Sequence, residues 1–76
     1  MNNKRRSTLK EAEALLERAL DIVSAVLDEE QDSLDNMPEN LQTSEKYERM
    51  EDAIDKLEDA IEQIDSAKDS IVEASG

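Results

Sequence analysis

The chain has 76 residues, enough for one domain. It contains no cysteine and no histidine, which excludes disulfides and leaves no expected cofactor or metal: no zinc, haem or iron–sulfur site. Its 21 acidic and 9 basic side chains give a net charge of −12. That charge disfavours direct contact with nucleic acid or an anionic membrane and favours a basic, or basic-patched, protein partner.

The rest of the composition narrows the fold. One glycine, one proline and one aromatic residue, Tyr47, leave little material for turns and none for a bulky core. A sheet with several hairpins needs more of each. Two long helices with one connection and a thin aliphatic core are expected. No apolar run approaches the roughly 20 residues of a membrane span. MNNKRRST is basic, but no signal-type apolar segment follows it, so a cytoplasmic protein is expected.

Residues 1–7 read as a frayed tail carrying Lys4, Arg5 and Arg6. Thr8 and Glu11 then match the S/T-x-x-E capping box and open helix 1, placed at 8–36. Its apolar positions run Leu9, Ala12, Leu16, Ala19, Val23, Val26 in steps of three and four. Leu15 and Ile22 flank that stripe on one side; Leu20, Leu27 and Leu34 flank it on the other. So broad an apolar face predicts packing against more than one neighbour. Past Leu27 the helix turns acidic. Pro38 disfavours helical geometry at Met37 and sets the boundary.

Residues 37–43 form the connection, short enough for antiparallel neighbours. Ser44 is the expected N-cap of helix 2, placed at 44–75. From Lys46 to Glu73 this helix divides into four blocks of seven, KYERMED, AIDKLED, AIEQIDS and AKDSIVE. The second and fifth residues of each block make one seam: Tyr47, Met50, Ile54, Leu57, Ile61, Ile64, Lys68 and Ile71. Ala53, Ala60, Ala67 and Ala74 recur beside it, a row that lets another helix approach closely. Lys68 breaks the seam. It is expected to snorkel past the bundle edge, with a carboxylate pair as the alternative.

The predicted fold is therefore all-α: one domain, 1–76, a coiled-coil-like antiparallel two-helix hairpin. Leu15, Leu20, Ile22 and Leu27 would remain open on a lone hairpin, so pairing of two copies into a four-helix bundle is expected. The expected core and dimer interface comprises Leu9, Leu15, Leu16, Leu20, Ile22, Val23, Val26 and Leu27, with the apolar members of the helix 2 seam.

Catalysis is not expected, because there is no histidine or cysteine and no glycine-rich phosphate loop. Asp28, Glu30, Asp32 and Glu39 fall at positions 1, 3, 5 and 12 of a calcium loop. Ser33 stands where that loop needs glycine, and the match is expected by chance in so acidic a stretch. The candidate partner surface is Glu29, Glu30, Asp32 and Asp35, with Glu51, Asp52, Asp55, Glu58, Asp59, Glu62 and Asp65. Two readings stand for it: plain solvation, or a binding surface, including one that imitates duplex phosphates.

The segment NMPENLQ followed by SEKYE, within Leu34–Asp65, resembles small acidic helical proteins of phages and mobile elements of Gram-positive bacteria. The resemblance covers under half of the chain and carries no functional residues over. It implies an accessory protein made in a bacterial host that binds and modulates a host protein, including defence enzymes. The alternatives are a purely structural assembly module and a duplex-mimicking inhibitor.

Overall fold

The computed structural model describes residues 1–76. Two helices, α1 (Asn3–Asp35) and α2 (Glu45–Ser75), run antiparallel and are joined through a single 3₁₀ turn at Glu39–Leu41. The hairpin is a rod of 59 × 14 × 13 Å. There is no strand.

α1 starts five residues before the expected Thr8, so residues 3–7 are helix rather than tail. The reason lies in the cap. Asn2 is extended, and its Oδ1 accepts the Arg5 backbone N–H at 2.8 Å. Asn is at least as good an N-cap as Thr. With the helix already begun, the Thr8 hydroxyl turns back and donates to the Lys4 carbonyl at 3.0 Å, so the capping box does not form. Across the hairpin, the Arg6 Nε–H donates to the Ser75 carbonyl at 3.0 Å and ties the start of α1 to the last turn of α2.

The connection follows its residue types. Asn36 closes α1, and Pro38 sits extended at φ −58°, ψ 145°. The Leu41 N–H donates to the Pro38 carbonyl at 2.9 Å, making the short turn. Ser44 caps α2 as expected, accepting the Tyr47 N–H at 3.2 Å, with Glu45 and Glu48 in the favoured first turn.

The two helices meet along a heptad seam, with seam positions a and d. On α2 the a row is Tyr47, Ile54, Ile61, Lys68, Ser75 and the d row Met50, Leu57, Ile64, Ile71; all are buried or half-buried. On α1 the a row is Glu13, Leu20, Leu27, Leu34 and the d row Leu9, Leu16, Val23, Glu30, continued past the helix end by Met37, again all shielded. Only Ile54 (6% exposed) and Leu34 (9%) are buried, both toward the connection. The end with the termini carries Glu13, Lys68 and Ser75 in its seam and is the thinner half.

The seam on α1 differs from the expected stripe. Val26 is 44% exposed, and the leucine row Leu20, Leu27, Leu34 takes its place. α2 presents one narrow seam and can cover one row pair of α1. Burying leucines removes more apolar area from water than burying alanines, so α1 turns its leucine row inward.

Candidate interaction surface

Three large aliphatic side chains of α1 stay outside the hairpin: Leu15 (71% exposed), Ile22 (48%) and Val26 (44%). They belong to the two heptad rows beside the seam. Row g holds Arg5, Ala12, Ala19, Val26 and Ser33, and row c holds Thr8, Leu15, Ile22 and Glu29. Together they form a second seam whose steps alternate three and four. Its middle, Ala12 to Val26, is entirely aliphatic along these rows. The expected interface residues thus divide. Leu9, Leu16, Leu20, Val23 and Leu27 pack within one hairpin, while Leu15, Ile22 and Val26 are left uncovered.

The alanine row of α2 occupies the same heptad position, g, and in an antiparallel pair the g rows of both helices border one broad side. Ala53 and Ala60 are half-buried there; Ala67 and Ala74 are exposed. Lys68 reaches Glu17 across the hairpin, which places the neighbouring Ala67 near the aliphatic section of α1.

Every carboxylate of α2 lies on the other rows. Glu51, Glu58 and Asp65 occupy e; Glu48, Asp55, Glu62 and Asp69 occupy b; Glu45, Asp52, Asp59 and Glu73 occupy f; all are exposed. Rows c and g of α2 hold no acid. The hairpin is two-sided: aliphatic and alanine-rich on one broad side, with the α2 carboxylates Glu51, Glu58 and Asp65 on the other and further acids along the outer edge of α2.

At the connection end Glu29, Asp32 and Asp35 are exposed, whereas Glu30 is half-buried at a seam position. Asp35 accepts a hydrogen bond from the Gln31 side-chain amide at 3.1 Å. Asp28, Glu30 and Asp32 belong to the helical end of α1 rather than to a loop. Successive alternate residues on a helix point in different directions, so the calcium-loop spacing is not realised as a cradle. A shallow hollow beside the connection is lined by Glu30, Asp32, Ser33, Asn36, Met37, Pro38, Lys46 and Met50.

Lys68 resolves between its two expected readings in favour of pairing: its ammonium donates to the Glu17 carboxylate across the hairpin. The partners stay partly open to water, so the pair fixes register more than it adds stability. Hydrogen bonding to Glu17 raises the lysine above its ordinary value of 10.5, against a smaller opposing effect of desolvation. Because the folded value is raised, this stabilisation is fully present below the unfolded lysine value and is lost as pH rises through the folded one. The stability difference between the native chain and Lys68→Met should therefore be constant near neutrality and shift against the native chain as pH rises past the ordinary lysine value of 10.5. Thermal melts across that range check it; a difference independent of pH would contradict the pairing. Neither Arg6–Ser75 nor the identity of the carboxylate facing Lys68 was signalled by sequence spacing, since both depend on how the helices align.

No helix is long and apolar enough to cross a membrane. In comparisons with known proteins, no family model, no curated protein and no solved structure matches this chain.

Proposed function

We propose that this chain is a non-enzymatic interaction protein that works as a pair. Two hairpins join into a four-helix bundle through their aliphatic sides and present their carboxylates to a basic-surfaced host protein, which the bundle binds and modulates. The observation that carries this reading is the two-sidedness of α2: alanines in the g row, no acid in c or g, and all acids on e, b and f. Solubility alone asks for charge but not for its segregation. An uncovered aliphatic seam on α1 gives the acid-free side something to do. The resemblance of Leu34–Asp65 to phage and mobile-element proteins supports a bacterial host protein as the target.

The test is capture from bacterial lysate with the tagged chain at low and high salt, beside the variant Asp55→Asn, Glu58→Gln, Glu62→Gln. These three carboxylates are exposed and lie off the seam, so the variant folds. Expected is one stoichiometric basic protein, held at low salt, released at high salt and lost with the variant. Release of that protein by added duplex DNA would specify phosphate mimicry. Equal capture by variant and native chain would remove the carboxylate surface from the account, and no specific capture at either salt would leave a structural module.

A further inference from the structure

We infer that the two copies pair α1 against α1 in opposite directions, about an axis close to Ala19. This rests on the two-copy reading above and specifies its interface. The second seam of α1 reads, in order, Arg5, Thr8, Ala12, Leu15, Ala19, Ile22, Val26, Glu29, Ser33. It is basic at one end, aliphatic in the middle and acidic at the other. Row f, next to it, reads Lys4, Glu11, Arg18, Ala25, Asp32, with a base at the first end and an acid at the last. Ala19 is the midpoint of α1, which spans Asn3–Asp35, and it is also the midpoint of the aliphatic section Ala12–Val26.

A seam with this symmetry complements itself only when reversed. Antiparallel copies lay Leu15 beside the Ile22–Val26 end of the second copy. They bring Lys4 and Arg5 to the level of Ser33 and Leu34 of that copy, within about one turn of its Asp32. Parallel copies set Glu29 and Asp32 beside their own duplicates, and Lys4 and Arg5 beside theirs. Like charges across an interface suppress pairing, and opposite ones steer it. Arg6 takes no part, because it already holds the Ser75 carbonyl.

The size is adequate. A broad side of the rod, 59 by 14 Å, covers about 800 Å². That footprint, for copies overlapping along their full length, is of the same order as the roughly 800 Å² each partner contributes to a standard specific interface, with an apolar centre and a charged rim. A host protein seated on the same seam would need the opposite charge order along its own length; a second copy supplies it without further assumption. The pairing also uses the basic end of α1, leaving the outer faces of the bundle to the α2 carboxylates.

The chain has no cysteine, so single-cysteine variants report position cleanly. Thr8→Cys, Ala19→Cys and Ser33→Cys are each placed on the proposed seam, and each is treated with a short bismaleimide while mass is followed by light scattering. Expected is a two-copy mass, self-cross-linking of Ala19→Cys, and cross-linking of Thr8→Cys only when mixed with Ser33→Cys. Same-site pairs at the two ends would be more than about 30 Å apart at 1.5 Å per residue. Self-cross-linking of Thr8→Cys and Ser33→Cys, each alone, would overturn the orientation while the two-copy reading stands. A two-copy mass without cross-linking at Ala19→Cys would overturn the face. A one-copy mass would overturn both the inference and the dimer on which it rests.

Discussion

Ile54→Ala is expected to cost about 2–5 kcal/mol, the usual range for removing a well-packed aliphatic side chain. Ile54 is the most shielded side chain of the hairpin at 6% exposed, at an a position of α2 in the half nearer the connection. A chain of 76 residues is held by roughly 4–11 kcal/mol at 0.05–0.15 kcal/mol per residue. One methyl-and-ethyl deletion therefore removes a large share of the total. The thin core offers no second layer to close over the gap. Thermal unfolding followed by helical circular dichroism should move down by at least about 8 °C, at about 4–8 °C per kcal/mol for a domain this small. A shift of only a degree or two would mean that the a row of α2 does not face α1.

The second large effect concerns association rather than folding. Leu15→Glu with Ile22→Glu should leave helix content nearly intact and reduce the mass to a single copy. Both side chains stand outside the hairpin, so neither charge enters its core. In a paired molecule each substitution occurs twice, and a buried aliphatic chain contributes about 1.5–3 kcal/mol. Four such losses, plus four new carboxylates facing one another, exceed what a micromolar complex of about 8 kcal/mol can withstand. Loss of helix content instead would place Leu15 and Ile22 within the hairpin. An unchanged two-copy mass would place the interface elsewhere.

How far the fold could be read from sequence differs between the two helices, for a physical reason. α2 carries one pair of bulky apolar rows, so its seam has a single solution, and Tyr47 to Ile71 lie along it as the heptads predict. α1 carries two adjacent seams sharing the flank between them. Spacing identifies both but cannot decide which one meets α2; that depends on the volume each row buries, and the leucines at 20, 27 and 34 win over the alanines at 12 and 19. Val26 is misplaced by the same ambiguity. The start of α1 was obscured because MNNKRRS has the composition of a tail, while a single Asn2 cap, together with the Arg6 bond to Ser75, suffices to extend the helix. The ends of both helices at Pro38 and Ser44 were legible, since each rests on local chemistry that needs no partner. The acidic residues of α2 were visible as a list. Their confinement to rows e, b and f becomes informative only once the seam sets the origin of the heptad.

In the pairing proposed above, the second seam of α1 meets another copy of itself. Light scattering of the native chain over a series of micromolar concentrations tests it most directly. Expected is a mass of twice 8.6 kDa that persists on dilution through that range. A mass of 8.6 kDa at every concentration would contradict it and assign the exposed Leu15, Ile22 and Val26 to some other partner.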